Sequence, residues 1–482
     1  MCGITAIYSF GKSNISGKLY RMLLDVQNRG ELSTGITGYK VDRNKILQTF
    51  KGRGTVHEVF GKDCLNRLVD DTAAIGHVRY ATVGNDELDL AQPFERIHGR
   101  KHKWFSLVFN GQITNYKELQ ETLSKERDYH FVLDNDTEVI VHYLAKELAA
   151  HQEPDYRTIL WNLACLFKGA YVFAFLNAKG ELIVARDIYG YRPVTYGYVD
   201  ECLLVASESA ALVNLGCKNI HSLEPGSFLH ATKKGYEKNR YWNVETKPRY
   251  CFFEWVYFAN VASTIDGWSV YQTRYQLGRM LGEQEDKQLL AKRPIIVPVP
   301  DTAKVAADAM GFFTGLPVRE GLIRNRYIGR TFIKGRGSEQ RENTVLSKYT
   351  KIDEIFRNKD IILVDDSLVR GNTMTTLVKS IRESNPKSIH LRIASPPIVD
   401  TCQYGIDIPT REELFLKDSV TTYTDLARRL GINSIRYLTI EQVRKAITPC
   451  VSNMFCDKCV TGVEKHDVPS EGAHHTQKQP KF

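Results

Sequence analysis

Long hydrophobic runs are what this 482-residue sequence has least of, since no stretch approaches the length of a membrane-spanning helix. The first ten residues lack the basic region and long apolar stretch of a signal peptide, so we expect no export. No cluster of Lys and Arg with interleaved aromatic residues indicates a nucleic-acid site. The net charge of +9 is modest and fits either polyanionic small substrates or a solvated surface. These absences favour a cytoplasmic protein that binds small molecules, with no nucleic acid and no membrane as partners.

Cysteine is spread thinly, with ten residues over the whole chain. Without an export signal, that distribution favours a reducing cytosol and free or metal-bound thiols over disulfides. The composition is that of a globular protein, with 43% hydrophobic and 25% charged residues. The length predicts two domains, or three.

A strand, a tight turn and a helix N-terminus follow one another between Ile361 and Thr376. The apolar run ends at Asp365 and Asp366, and a loop with Gly371 leads into a helical run. Open α/β sheets bind ligands just past their strand ends, and loop N–H groups at a helix N-terminus suit a phosphate. The two carboxylates could bind ribose hydroxyls or a magnesium ion, and the alternative is an ordinary acidic turn. The pattern resembles the phosphoribosyl-pyrophosphate signature of phosphoribosyltransferases.

Cys2 is a candidate nucleophile. Removal of Met1 would make it the N-terminal residue, whose α-amine, with a pKa of about 8, can take the thiol proton. One residue would then be both nucleophile and base. The other interpretation is a small buried side chain at the start of a strand.

Four polar motifs follow Cys2 between apolar, strand-like runs, and they span residues 27–36, 76–84, 107–119 and 134–140. Arg79 could bind the carboxylate of a free amino acid through its guanidinium, and Asp136 could bind the α-amine. The side chain of Asn110 and the backbone N–H of Gly111 could stabilise a tetrahedral oxyanion. Taken singly, Asn110 and Gly111 also fit a turn, and Arg79 also fits a surface charge.

In this order behind Cys2, the motifs resemble those of class II glutamine amidotransferases, N-terminal nucleophile hydrolases that release ammonia from glutamine through a thioester. The resemblance extends to about residue 235 and implies an α+β sandwich (αββα) of two stacked sheets between helix layers. Strand-like runs at 2–8, 169–176, 181–185 and 202–206 support a β-rich core. The charged stretch from Lys233 to Tyr250 predicts the boundary between a domain over 2–235 and a second domain over 250–462.

The second half contains another strand–turn–helix pattern at 295–310, which predicts a pyrophosphate-binding loop. A segment with Arg324, Asn325, Arg326 and Arg330 follows, and the polar stretch after it suits a mobile lid. Both halves, in this order, resemble the amidophosphoribosyltransferase family over residues 2–462, with a phosphoribosyltransferase domain of the α/β class and a parallel sheet. The family implies glutamine-dependent amination of phosphoribosyl pyrophosphate, the first step of de novo purine synthesis. It also implies purine nucleotides as feedback inhibitors and a homotetramer.

The resemblance also implies roles for the matching residues. Cys2, Asn110 and Gly111 would be catalytic, and Asp365 and Asp366 would hold magnesium. The implied substrate-binding residues are Arg29, Arg79, Asp136, Asp301, Thr302, Arg326, Arg330, Arg370, Gly371, Asn372 and Thr373.

Cys456 and Cys459 form a Cys-x-x-Cys, a spacing that fits zinc, iron–sulfur, redox chemistry or chance. Many family members carry a four-iron cluster, and its ligand positions correspond here to these two residues together with Cys251 and Cys402. The resemblance therefore implies a 4Fe–4S cluster on soft thiolate ligands, with zinc as the alternative. The remaining cysteines are expected to be structural: Cys64, Cys165, Cys202, Cys217 and Cys450.

The chain departs from the family pattern mainly in the second half. The segment 260–262 replaces Arg-Pro-Asp, Ala303 replaces a common serine, and Asn372 replaces a threonine, while the lid also differs. In the first half, Asn28 replaces a histidine. These departures leave open a regulator that binds phosphoribosyl pyrophosphate or a nucleotide without turnover, or an amidotransferase for another phosphorylated sugar. The polar tail, 463–482, is predicted to be disordered.

Overall fold

The computed structural model describes residues 1–11, 13–41, 45–61, 66, 68, 71–80, 88–126, 129–150, 152–325, 347–408, 410–416, 422–448 and 454–463. Arg326, Arg330, most of the predicted lid and all but the first residue of the predicted tail lie outside these ranges, as do Cys64 and Cys450. Over the described ranges, none of the helices combines the length and apolarity needed to cross a bilayer.

Two antiparallel sheets form the N-terminal half. Among the described residues, the first has seven strands, in the spatial order Ile220–Ser222, Thr195–Val199, Cys202–Ala206, Gly3–Ser9, Ala73–Arg79, Ser33–Tyr39 and Leu47–Arg53. The second has six strands within the same ranges, in the order Gly235–Arg240, Ser227–Thr232, Leu182–Arg186, Gly169–Asn177, Phe105–Ile113 and Phe94–Arg96.

The strand Gly3–Ser9 shows why the sheets stack. Ile4, Ala6 and Tyr8 point into a core shared with the second sheet, whereas Ile7 packs on the opposite face with the helix Ser16–Asp25. Side chains alternate between the faces of a strand, so one sheet buries two apolar surfaces.

Helices cover both outer faces of this sandwich. They are Ser16–Asp25 and Ser209–Val213 on the first sheet, and Tyr116–Ser124, Asp136–Ala150 and Tyr156–Leu166 on the second. The arrangement is the predicted αββα sandwich, and the four predicted strand-like runs are strands.

A parallel sheet forms the centre of the C-terminal half, with the strand order Ile295–Pro298, Asp360–Asp365, Ser388–Ile393 and Ser434–Tyr437. Apolar clusters lie against both faces of this sheet, as parallel strands require. The longer helices are Val270–Glu283, Lys304–Thr314, Asn372–Arg382, Tyr423–Leu430 and Ile440–Ile447. The predicted α/β class is confirmed.

One expected helix, near 272–290, is broken in two. The first helix ends at Glu283, and a second runs from Lys287 to Ala291. Asp286 starts the second one, because its side chain accepts a hydrogen bond from the Gln288 N–H as an N-cap.

The end of the described chain returns to the start of the second half. The last strand of the sandwich ends at Arg240, and Tyr250–Cys251 then pairs in parallel with Phe455–Cys456. Cys251 is thereby placed opposite Cys456, although about 200 residues separate them in sequence.

Candidate active sites and the cysteine cavity

Cys2 lies at the start of a strand in the first sheet. Its thiol donates to the Tyr80 carbonyl oxygen, with 3.7 Å between Sγ and O. Gly3 pairs with Val78, so the buried Arg79 at the end of the neighbouring strand lies close to Cys2. Strand register therefore sets the distance between the predicted nucleophile and the predicted carboxylate-binding group.

Asn110 and Gly111 lie on a strand of the second sheet. Asn110 is 1% exposed, and within the described residues its Nδ2 has no hydrogen-bond partner. A side chain at Gly111 would collide with the Ala170 carbonyl on the neighbouring strand. A buried, unpaired amide N–H is costly unless a ligand accepts from it, so this strand fits an oxyanion hole.

Asp136 begins the helix Asp136–Ala150 and is half-buried. Its Oδ2 accepts a hydrogen bond from the Ile113 N–H at 3.1 Å, next to the oxyanion strand. Burial, together with the charge interaction with the nearby Cys2, raises the pKa of Asp136 to about 6, although backbone hydrogen bonds oppose the shift. The carboxylate is therefore close to the nucleophile, where it can pair with a ligand ammonium.

Arg29 is fully buried and bonded to the protein itself. Its Nε donates to the Cys2 carbonyl at 3.0 Å, its Nη1 to Glu208 at 2.8 Å, and its Nη2 to Glu254 at 2.9 Å. These bonds favour a role in positioning Cys2 over the direct substrate contact that the sequence predicted.

The segment 254–263 connects the two halves. Glu208, in the first half, accepts from the Asn28 side chain at 3.0 Å and from the Asn260 N–H at 2.7 Å. Asn28 and Asn260, two of the departures from the family pattern, thus both donate hydrogen bonds to the Glu208 carboxylate. On the other side of the segment, the buried Arg274 donates to the Trp255 carbonyl at 2.9 Å, and its charge acts on Asp366.

Asp365 and Asp366 follow the second strand of the parallel sheet. Asp366 accepts from the hydroxyls of Thr302 and of Ser367, the latter at 2.6 Å. Burial raises the pKa of both carboxyls, and repulsion from Asp366 raises that of Asp365 further. Two crowded carboxylates at a strand end suit a hard divalent cation.

The loop after these carboxylates includes a glycine in the left-handed backbone region. Gly371 has a φ of 78°, and a side chain there would also collide with the Phe415 ring. The helix Asn372–Arg382 begins at the next residue, so Asn372 and Thr373 form its exposed first turn.

Three other predicted substrate-binding residues, Asp301, Thr302 and Arg370, lie within the described part of the second half. Thr302 follows the neighbouring strand and bonds to Asp366, while Asp301 accepts from Arg324 at 3.1 Å. Arg370 is bound to Glu413 at 2.7 Å and to Asp407 at 3.4 Å. The structure therefore brings the two predicted loops together, because their parallel strands are adjacent.

Cys251, Cys402, Cys456 and Cys459 line one small cavity. Burial raises the pKa of Cys251 to about 12 and also raises that of Cys456 and of Cys459, and the thiols act on one another. Within the described residues, no three His, Cys, Asp or Glu side chains lie close enough to hold a metal ion.

Residues 33–218 match a family model, the glutamine amidotransferase domain. The amidophosphoribosyltransferase of Methanothermobacter thermautotrophicus is 35% identical over 475 residues, which are 98% of this chain and 95% of that protein. The amidophosphoribosyltransferase of Rattus norvegicus is 33% identical over 445 residues, 87% and 83% of the two chains. The chain belongs to the amidophosphoribosyltransferase family.

The solved structures agree with this assignment. Glutamine phosphoribosylpyrophosphate amidotransferase from B. subtilis, complexed with ADP and GMP, matches with a TM-score of 0.85 at 30% identity. The match covers 98% of this chain and 99% of that one. The family and the fold predicted from the sequence are confirmed.

Sequence reasoning missed the residues that hold the two halves together. Arg192 and Glu208 lie in the first half, and Glu254 lies in the segment that begins the second half. All three are buried charges. The signal that could have found them is charge inside otherwise apolar stretches, since buried ions require partners.

Proposed function

We propose that this protein aminates phosphoribosyl pyrophosphate to 5-phosphoribosylamine, with ammonia released from glutamine, as the first step of de novo purine synthesis. The observation that carries the proposal is the presence of two sites in one chain. One combines Cys2 with Asp136 and the buried Asn110 amide. The other places Asp365 and Asp366 at the carboxyl end of an inner strand of the parallel sheet. Relatives of nearly the same length that carry the name of this enzyme support it.

At the first site, the Cys2 thiolate attacks the side-chain carbonyl carbon of glutamine, after removal of Met1 frees the α-amine to take the thiol proton. His77 is a poor alternative base, because burial lowers its pKa to about 3. The oxyanion accepts hydrogen bonds from the Asn110 side chain and the Gly111 N–H. The tetrahedral intermediate collapses, ammonia leaves with the transferred proton, and water hydrolyses the thioester to glutamate.

The amino-acid end of glutamine fixes the orientation of the amide. Arg79 binds the α-carboxylate through its guanidinium, and Asp136 binds the α-ammonium. Arg29 positions Cys2 from behind, through the Cys2 carbonyl. A free amino acid is thereby selected over a peptide, because both charged ends are required.

At the second site, the ammonia lone pair attacks C1 of the ribose, the bond from C1 to the pyrophosphate oxygen breaks, and the amine loses a proton. Asp365 and Asp366 would hold magnesium, which neutralises charge on the phosphate groups when bound. The loop 371–373 binds a phosphate at the helix N-terminus. Arg326 and Arg330, which lie outside the described residues, are predicted to screen the leaving pyrophosphate.

The test supplies glutamine, phosphoribosyl pyrophosphate and magnesium and identifies the products by mass spectrometry. We expect 5-phosphoribosylamine, glutamate and pyrophosphate in equal amounts, and the protein should lack Met1 by intact mass. Glutamate formation without pyrophosphate release, even with ammonia supplied, would contradict the transferase assignment.

We propose that the cysteine cavity holds a 4Fe–4S cluster, with zinc as the alternative. The support is that four thiols line one cavity, since thiolates are the soft ligands that iron–sulfur clusters and zinc both accept. Three chain segments meet at the cavity, so a cluster there would stabilise the fold rather than transfer electrons.

Metal analysis of anaerobically purified protein tests the cluster. We expect a brown protein with about four irons per chain. Cys456→Ser should lose iron and lower the unfolding temperature, whereas Cys165→Ser, at an exposed cysteine outside the cavity, should change neither. Stoichiometric zinc would replace the iron proposal, and the absence of any metal would overturn both.

Regulation and assembly follow the family in this proposal. The B. subtilis structure was solved with ADP and GMP, so purine nucleotides are the inhibitors to test first. We propose a cytoplasmic tetramer, which light scattering and cell fractionation would check.

A further inference from the structure

The segment from Cys402 to Asp407 reaches three places that the proposed function treats separately. Cys402 lines the cysteine cavity, and Asp407 accepts from Arg370 of the phosphate loop at 3.4 Å. Between them, Gly405 lies against the carbonyl of Gly111, the oxyanion-hole glycine. A segment of the C-terminal half therefore contacts the backbone of the proposed oxyanion hole in the N-terminal half.

The contact at Gly405 is tight enough that a side chain there would displace its neighbours slightly. Its φ is 94°, and a Cβ there would be 3.1 Å from the Gly111 oxygen and 3.2 Å from the Gly111 carbonyl carbon. Gly111 pairs with Tyr171 in its own sheet and meets Gly405 at its carbonyl, so a displacement of either neighbour would shift the Gly111 backbone.

Two side chains of the N-terminal half hold Gly405 in place. The Tyr191 ring stacks on the Tyr404 ring, with centroids 4.5 Å apart and planes 18° from parallel. The fully buried Arg192 donates to the Tyr404 carbonyl through Nη2, and its Nη1 lies 3.7 Å from Glu254. An added Cβ at Gly405 would also be 3.3 Å from the Arg192 Nη2.

We propose that Tyr404–Gly405 is a positioning element for the oxyanion hole, with Gly405 setting the location of the Gly111 N–H and Arg192 fixing Gly405 through Tyr404. The inference rests on the proposed glutaminase site and adds residues to it. Neither Gly405 nor Arg192 is assigned a contact with substrate. Their substitution should destabilise the transition state, in which the oxyanion forms, and should leave glutamine binding unchanged.

The first test is Gly405→Ala. Its Cβ requires the Gly111 carbonyl to move by a few tenths of an ångström, so kcat for glutamine hydrolysis should fall about tenfold with KM unchanged. The ammonia-dependent reaction, which does not use the oxyanion hole, should stay within about twofold of wild type. Alkylation of Cys2 by iodoacetamide should keep its rate, because that reaction forms no oxyanion.

Gly267→Ala is the matched control. Gly267 has a nearly equal φ of 87° but no atom within 4 Å of an added Cβ. It therefore imposes the same backbone strain without the contact, and both activities should be retained.

Arg192→Lys provides a second variant if Gly405→Ala fails to fold. A lysine keeps the charge near Glu254 but cannot reproduce the bond of Nη2 to Tyr404, so kcat should fall about threefold at constant KM. A wild-type kcat in the folded variants, or an equal loss of the glutamine and ammonia reactions, would overturn the inference. If the wild-type protein itself hydrolyses no glutamine, the proposed function fails instead.

Discussion

The two sites are built on different kinds of backbone. Cys2, Arg79 and Asn110 lie on or directly beside paired strands of the sandwich, so register fixes where they point. The second site consists of loops that follow parallel strands, and Thr302 reaches Asp366 from one loop to the next. A residue on a paired strand can adopt few other positions, because strands on both sides hold its backbone. A loop tolerates changes of sequence more readily.

The departures from the family pattern follow this difference. Ala303 and Asn372 lie at the starts of two helices beside the phosphate loops, where they alter the groups offered to a ligand. Asn28 and Asn260 instead both donate to Glu208 and form a contact between the halves. This comparison predicts that the first site hydrolyses glutamine as other family members do. Differences in rate from those members should arise at the second site.

The largest effect should come from Cys2→Ala. Removal of the nucleophile should lower glutamine-dependent amination by more than about 10⁴-fold, because no other group can form the thioester. Ammonia-dependent amination should persist, since the second site does not use the thiol. Parallel assays with glutamine and with ammonium chloride measure this directly, and equal loss of both would show that the two sites are not separate.

The converse variant is Asp365→Asn combined with Asp366→Asn. It should lower amination from both nitrogen sources by about 10³-fold, because the proposed magnesium ion, which would pair with the phosphate groups, would lose its ligands. Calorimetry should show no binding of phosphoribosyl pyrophosphate, while basal glutamine hydrolysis is retained. Normal binding would mean that the carboxylates form only a structural turn.

Asn110→Ala should act within the first site. Loss of one oxyanion donor typically lowers kcat by about 10²- to 10³-fold, and KM for glutamine should change little. The ammonia reaction is the internal control. A rise in KM with unchanged kcat would place Asn110 in ground-state binding instead.

Short motifs identified Cys2, Arg79 and Asn110, and the structure places all three on or directly beside paired strands of the sandwich, while their catalytic roles stay predictions. The sequence also predicted the strand and loop around Asp365, since an apolar run followed by two carboxylates is a local pattern. It could not predict Gly405 against Gly111, because this contact joins residues about 300 positions apart and depends on how the halves pack.

Arg29 shows the same limit in another way. The family resemblance implied a substrate contact for Arg29, whereas its ion-pair partners in the structure, Glu208 and Glu254, come from distant segments. A motif identifies a residue as important, whereas only the packed fold shows which neighbours it serves.

The smallest effect is expected from the pH dependence of Asp136. Its carboxyl has a pKa of about 6 in the free protein, so it is charged above that pH and neutral below it. The value of kcat/KM for glutamine should therefore fall by up to about tenfold per pH unit below 6, through KM, as the partner of the α-ammonium disappears. Asp136→Asn should raise KM and remove this limb of the profile, while the ammonia reaction keeps its own profile.

Acid unfolding could also lower kcat/KM below pH 6, but only if the free energy of unfolding fell over the same pH range. The titration of Asp136 changes the free energy of unfolding in the opposite direction. Its pKa is raised on folding from an unfolded value of 3.8, so the folded state binds this proton more tightly. The contribution of the group to the free energy of unfolding is then fully present below pH 3.8 and is lost as the pH rises through 6. As the pH falls from 6 to 3.8, protonation of Asp136 therefore increases the free energy of unfolding while it weakens glutamine binding. Thermal unfolding and kcat/KM measured at the same pH values should therefore separate binding from stability, and a shared decline in both would assign the acid limb to another group.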